Sequence, residues 1–297
     1  MNPRRSSSPL HVMQVVHSLK QGGSERLAFD LARSFDPSKV RSTLCAIDFG
    51  GPLEAPLRND GIPFHIMGRR PGFDWRLIGR LYRLFRSQRV NLVQTHHLTQ
   101  LIYGAVGARL AGASLVHVEH EYFSLMRPKE QRRLRRLAPL CHRVVAVGEE
   151  TARFIVSQIG VPSSKVTVIP NGVDVQRYAP VARLQRQTLG LPADGRLIGH
   201  VGRLEPEKDQ AALLHAFRAV MDAHRDTRLV IIGDGSLRHS LEDLLRSLGC
   251  GDRVTLLGAR DDVSDLLPHF DLFILPSLSE GLPLAVIEAM ACAIPVI

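Results

Sequence analysis

The stretch LIGHVGRLEPEKDQAALLHAFRAVMDAH, residues 197–224, decides how this chain is read. "LIGHVGRL" is a short apolar run, "EPEK" a proline turn, and "DQAALLHAFRAVMDAH" a segment of helix length. A buried strand that leads into a covering helix is the building unit of a parallel sheet. The unit recurs downstream as "TRLVIIGDG" with "SLRHSLEDLLRSLG" and as "DRVTLLGA" with "VSDLLPHF". "DLFILPS" then precedes a helix from Pro283 to Ala291, and "IPVI" starts another strand.

Upstream, residues 175–195 break the pattern with no strand and a helical piece bounded by prolines. Before them the alternation is present again. "HVMQVVHSL" is a strand, and Ser24 is a candidate cap for the helix that follows the Gly22-Gly23 turn. "VRSTLCAIDF", "GIPFHIM", "VNLVQTHH", "SLVHVEHE", "RVVAV" and "KVTVIPNGVD" supply further strands, with a helix expected from Asp74 to Gln88. The fold class is therefore α/β: two Rossmann-like, doubly wound domains that face a cleft. The expected division is a leader at 1–10, a first domain at 11–178 and a second at 179–297. A parallel strand at "IPVI" calls for a crossover helix beyond it. The second domain is accordingly expected to be incomplete, in a copy of a longer protein.

Bulk properties agree with two ordinary globular domains: 297 residues, 44% hydrophobic and 23% charged. Cys45, Cys141, Cys250 and Cys292 form no Cys-x-x-Cys pair and read as buried free thiols. The apolar part of the N-terminus is broken by His11, Gln14 and His17, which argues against a signal peptide. No apolar run reaches the roughly 18 residues a membrane span needs. Residues 1–172 hold 25 Lys and Arg against 12 Asp and Glu, whereas residues 173–297 hold 13 against 17. A basic half joined to a mildly acidic half points to different partners for the two.

Several residues at strand ends can carry chemistry. Gly22 and Gly23 would let backbone N–H groups approach a phosphate at a helix start, although a plain turn uses glycines too. In "GRLEPEK", Arg203 and Lys208 follow a strand and suit a diphosphate leaving group; two solvated surface cations are the plainer reading. Gly233 lies in "GDGSLR", either an ordinary strand-to-helix turn or a nucleotide contact. In "SEGLPLAVIEAM", Glu280 precedes a helix that Pro283 is expected to open at its first position. Glu288 lies farther along that helix and could accept two hydrogen bonds from a ribose diol. A capping acid and an exposed helix acid are the alternatives.

Taken in order, "QGGSER", "VIPNGVD", "GRLEPEK", "LVIIGDG" and the E-x7-E pair after "PS" resemble family 4 glycosyltransferases of the GT-B fold. The resemblance spans roughly residues 10–297. It implies a retaining transferase that moves a sugar from a nucleoside-diphosphate-sugar to a glycan or lipid-linked acceptor in cell-surface polysaccharide or glycolipid synthesis. It implies that Arg203 and Lys208 hold the donor diphosphate, that Glu280 contacts the sugar and that Glu288 binds the ribose. Gly281, Leu282 and Pro283 match the phosphate-contacting turn, and Gly22 and Gly23 the glycine loop over the donor. His120 in "VHVEHE" matches a histidine near the reacting carbon, with His117 three residues earlier as the competing match. His96 and His97 end a strand and could line an acceptor pocket. No cofactor and no essential metal are expected, and no three- or four-ligand zinc spacing is present.

Two basic amphipathic stretches, 74–89 and 127–143, could lie on an anionic membrane surface while their apolar faces pack inward. A cytoplasmic protein at the inner membrane face is the corresponding expectation, and nothing suggests nucleic acid. Two other functions fit much of the same sequence. They are a GT-B-fold sugar-nucleotide epimerase and a non-catalytic nucleotide-binding fragment.

Overall fold

Apolar runs that alternate with amphipathic helices fold, in the computed structural model, into two compact units, and the chain passes from one to the other between Asn171 and Gly172. The structure describes residues 9–20, 22–180 and 184–297. The expected leader falls almost wholly outside those residues.

The first unit is a seven-stranded parallel sheet. Its strands are β1 (Leu10–Val16), β2 (Val40–Ala46), β3 (Phe64–Ile66), β4 (Leu92–His96), β5 (Ser114–Glu119), β6 (Arg143–Ala146) and β7 (Val166–Val168). They lie in the order β3-β2-β1-β4-β5-β6-β7. Successive side chains of a strand point to opposite faces, so β2 sends Leu44 and Ala46 to one core and Cys45 to the other. On one face lie α1 (Gly23–Ser34) and α2 (Glu54–Asn59), with Ala28, Phe29, Leu53 and Leu57 buried. The other face carries α3 (Trp75–Ser87), α4 (His97–Ala111), α5 (Pro128–Leu137) and α6 (Glu149–Phe154). α3 buries Leu77, Leu81 and Phe85 at helical spacing, and Asp74 caps it by accepting from the N–H groups of Arg76 and Leu77. α1 behaves differently from the expectation. Gly22 occupies its N-cap, and Ser24, one residue inside, donates to Glu25 instead.

The second unit is a four-stranded parallel sheet of β8 (Arg196–Val201), β9 (Thr227–Ile232), β10 (Val254–Gly258) and β11 (Leu272–Phe273), in the order β10-β9-β8-β11. β9 again divides its side chains: Leu229 and Ile231 pack with α7 (Gln210–Met221) and α8 (Arg238–Leu248). Val230 and Ile232 join Leu266 and Ala289, from α9 (Val263–Leu266) and α10 (Leu284–Ala291), together with Tyr178. The strand expected over "DLFILPS" is reduced to two residues. Its pairing nevertheless continues, since Ile274 N–H donates to Gly199 and Leu275 N–H to Ile297. Phe273 bridges Val296 in parallel, so "IPVI" adds to this sheet beyond β11. All four cysteines are buried and unpaired, which burial alone favours for a small apolar thiol.

Each sheet has one place where the chain reverses its direction of progress. In the first unit it is β1, flanked by β2 and β4; in the second it is β8, flanked by β9 and β11. In open parallel sheets, ligands bind at the carboxyl ends of the strands at such a switch point.

Candidate active site

In the second unit the switch point brings together the turn after β8 and the loop after β11. The turn is a single 3-10 turn, Pro206–Lys208, closed by Asp209. The loops are tied by Leu278 N–H, which donates to the Glu207 carbonyl at 3.0 Å. Across this seam Lys208 Nζ pairs with Glu280, 72 residues away in sequence, and both side chains are mostly buried. Arg203 is arranged differently from Lys208. Its guanidinium is exposed and pairs with Glu207 at 2.7 Å.

Three polar contacts set the shape of the turn. The buried His200 Nδ1 hydrogen-bonds to the Ile274 carbonyl at 2.9 Å, which leaves Nε2 to accept from Gln210 Nε2 at 3.2 Å. The same Gln210 amide also donates to the Arg203 carbonyl at 2.7 Å. Burial lowers the pKa of His200, so the imidazole acts as a neutral strut between β8, the segment just after β11 and α7. Glu205 accepts from Ser236 N–H at 3.2 Å and from Ser236 Oγ at 2.8 Å, tying the "GRLEPEK" turn to the "GDGS" turn.

Gly233 stands in the left-handed region at φ +140°, and a Cβ there would lie 1.9 Å from the Gly202 carbonyl oxygen. The glycine is required by backbone contact between the two turns, whatever else it touches. Gly281 and Leu282 lead into α10, and Pro283 is its N-cap, one place earlier than expected, so the first helical residue is Leu284. Glu288 is buried, not an exposed helix acid, and its Oε1 accepts from Tyr178 Oη at 2.7 Å.

In the first unit, Gly22 and Gly23 follow β1 and begin α1. The ends of β4 and β5 hold a group of imidazoles. His96 Nδ1 lies 3.0 Å from His120 Nε2, and the two rings stack with centroids 5.2 Å apart. The His97 ring is 4.8 Å from that of His120. His117, the competing match, is fully buried and bonded to Thr95 Oγ1 at 3.1 Å and Glu119 Oε2 at 3.3 Å. His120 is the partly exposed member of the two.

Glu119 is itself buried beneath the group, and its Oε1 faces His97 Nδ1 at 3.6 Å. Burial works to raise the Glu119 carboxyl, but His117 and His97 outweigh it and hold it down at about 2. Burial likewise works against a charge on His97, yet Glu119, Glu25 and Glu121 together raise its pKa. His120 is pushed well below the usual imidazole value, first by burial and then by His97 and His96.

Gln14 and Glu119 in this unit, and His200, Gln210 and Glu205 in the second, belong to these clusters without having been singled out in the sequence, whereas His96 was read there as a residue that could line an acceptor pocket. Their signal was present. Each of Gln14, Glu119 and His200 is a polar side chain inside an otherwise apolar strand, where a polar group must find a partner.

Comparison with known proteins gives the family. Residues 21–177 match the family model Glycosyltransferase Family 4, and residues 181–297 match Glycosyl transferases group 1. The glycosyltransferase EpsF of Bacillus subtilis is 30% identical over 98% of this chain and 79% of its own length. The UDP-Gal:alpha-D-GlcNAc-diphosphoundecaprenol alpha-1,3-galactosyltransferase of Escherichia coli is 31% identical over 75% of this chain. That match spans about three fifths, 61%, of the Escherichia coli enzyme. Among solved structures, Anabaena HepE in complex with UDP and glucose superposes with a TM-score of 0.79 at 25% identity. The superposition covers 96% of this chain and 79% of HepE. Two doubly wound units, each with polar groups gathered at its switch point, and these matches along the chain make it a member of glycosyltransferase family 4, a transferase of the GT-B fold.

Proposed function

We propose that this chain transfers a hexose-type sugar, with retention of anomeric configuration, from a UDP-sugar to a glycan or lipid-linked acceptor of cell-surface polysaccharide or glycolipid synthesis. The observation that carries the reading is the Lys208–Glu280 pair at the switch point of the second unit, beside the start of α10. The HepE complex with UDP and glucose supports the uracil base, and the Escherichia coli relative's diphosphoundecaprenol substrate supports a lipid-linked acceptor.

The chemistry follows from charge. Cleavage of the sugar–phosphate bond leaves positive charge on the ring and builds negative charge on the leaving diphosphate. A diphosphate gives the Lys208 ammonium a second anionic partner, and Arg203 adds a further cation. The N–H groups of Gly281 and Leu282, and those of the first turn of α10 after Pro283, favour the same anion. Glu280, held by Lys208, then faces the sugar. His120 is the group of the first unit assigned to the sugar hydroxyls, with Gly22 and Gly23 over the phosphates. Glu288 and Tyr178 together offer the ribose a polar pair. The leaving phosphate takes the acceptor proton on the same face that it departs from, so no covalent sugar–protein intermediate is needed. These fixed charges do the work of a divalent cation.

The basic helices belong to the same reading. α3 and α5 both pack against α4 on one side of the first sheet. Arg76, Arg83 and Arg86 on α3, and Lys129, Arg132, Arg135 and Arg136 on α5, are exposed. Trp75 and Phe73 at one helix start, and Phe123 and Met126 before the other, are exposed large apolar residues. Cations beside exposed aromatics suit the interface of an anionic bilayer, where a lipid-linked acceptor resides. Among the described residues no helix is long and apolar enough to cross a membrane.

A thermal-shift screen of UDP, GDP, ADP and their sugars tests the donor, followed by product analysis with and without lipid-linked acceptor. Stabilisation by UDP and UDP-sugars with acceptor-dependent transfer is expected. Epimerised donor without acceptor, or binding with no turnover of any sugar, would sink the proposal.

A further inference from the structure

Gln14 stands in the middle of β1 and is wholly buried. A buried amide must satisfy both its donor and its acceptor ends. Its Nε2 donates to the Ala28 carbonyl of α1 at 2.9 Å, which fixes the orientation of the amide. Its Oε1 is then the acceptor that meets His96 Nε2 at 3.2 Å. Only a protonated Nε2 satisfies that contact, since two lone pairs would otherwise oppose each other in a buried site. Gln94 Nε2 lies 3.4 Å from the same nitrogen. Serving that longer contact would require the opposite tautomer and would leave Gln14 Oε1 unmatched, which costs more than the weaker bond contributes.

His96 is neutral and so carries one ring proton: burial, then His97 and His117, lowers its pKa to about 3. With that proton on Nε2, His96 Nδ1 is an acceptor. The atom 3.0 Å away is His120 Nε2, which must therefore donate. The stacked rings, 19° from parallel, oppose reorientation of His120. The result is a directed chain from His120 through His96 and Gln14 to the backbone of α1.

We infer that Gln14 and His96 are positioning residues that hold His120 as the Nε2–H tautomer, so that its Nδ1 lone pair accepts a hydrogen bond from a substrate hydroxyl. Among the described residues Nδ1 has no hydrogen-bond partner of its own. The opposite tautomer would present an N–H and select a carbonyl or phosphate oxygen instead. A sugar hydroxyl is the group of the proposed substrates that has a proton to give. The inference rests on the reading above that places His120 against the sugar.

Long-range proton–nitrogen correlation spectra of the histidine-labelled protein test it without substrate. The wild type is expected to show a pyrrole-type Nε2 and a pyridine-type Nδ1 on His120. His96→Leu removes the acceptor, should mix the two tautomers, and should lower UDP-glucose turnover by about ten- to hundredfold, the range seen when the partner that orients a metal-bound imidazole is lost. His96→Asn keeps an oxygen acceptor near the Nδ1 position and should restore both the tautomer and most of the turnover, an effect a packing role would not produce.

A pyridine-type Nε2 on His120 in the wild type overturns the inference, and that spectrum decides even if His96→Leu fails to fold. An unchanged tautomer in a folded His96→Leu overturns the positioning role. Full turnover in His120→Ala overturns the substrate contact and the functional reading with it, while the spectrum judges the tautomer separately.

Discussion

Lys208 and Glu280 show how a motif can single out a residue without naming its partner. Both were readable from their motifs, but their pairing across 72 residues is a product of the seam between two loops. In the proposed mechanism, Lys208→Ala would remove a fixed cation from the leaving group, and Glu280→Ala the acid beside the sugar. Each should cut transfer at least about tenfold with the fold retained; near-normal turnover in both, in a circular-dichroism-matched pair, would refute the assignment.

Glu119 supports a prediction about stability. Its folded carboxyl sits at about 2 against an ordinary 4.5. A depressed folded pKa gives stabilisation that is complete above the unfolded value and is lost as pH falls toward the folded one. The raised His97, faced by Glu119, Glu25 and Glu121, has the opposite sign: its contribution is full below 6.5 and is lost as pH rises through its raised value. Glu119→Gln should therefore be less stable than wild type at pH 6 by about 2 kcal/mol. The gap should close as pH falls from about 4.5 toward 2 and narrow at alkaline pH, as urea melts across pH would show. A gap that does not vary with pH would exclude the charge-based account.

At the scale of elements, strand and helix order was readable because burial on both faces of a parallel sheet leaves long apolar, β-branched runs. Exact starts were less readable. Ser24 has the chemistry of a cap, yet the turn geometry gave that place to Gly22. Pro283 fits a first helical position, yet it serves as the N-cap of α10. "DLFILPS" is reduced to a two-residue β11, although the N–H groups of Ile274 and Leu275 still pair with Gly199 and Ile297 before the loop that carries Glu280. Gly233 could be read as a phosphate-contacting glycine, but backbone crowding against Gly202 already demands it. Gly233→Ala should destabilise the second unit by more than about 3 kcal/mol, combining overlap with strain at positive φ. A melting temperature equal to wild type would show that the two turns are not packed as described.

For the whole molecule, charge is the property that sequence states most directly. The first 172 residues carry the basic excess, and the structure exposes much of it on α3 and α5 beside Trp75, Phe123 and Met126. Flotation with vesicles rich in anionic phospholipid should recover the protein, and Arg76, Arg83, Arg132 and Arg136 changed together to Glu should abolish recovery. Each cation near such a surface contributes roughly 1 kcal/mol. Equal recovery of both forms, or recovery with neutral vesicles, would remove the membrane from the proposal. Incubation with EDTA should leave sugar transfer unchanged if, as proposed, Lys208, Arg203 and the α10 N-terminus supply the positive charge; loss of activity restored by Mg²⁺ would overturn that view.

The sequence by itself determined the class of fold, the two-part organisation and most of the residues given roles in the second unit, because strand periodicity and short glycine, proline and acid motifs are local properties. Only the tertiary structure decided which polar groups share a partner. Gln14, His96 and His120 come from three separate segments, and so do His200, Gln210 and Ile274. A buried polar atom must be satisfied by whatever the fold brings to it, and that neighbour is set by sheet order and register, which no local stretch of residues contains.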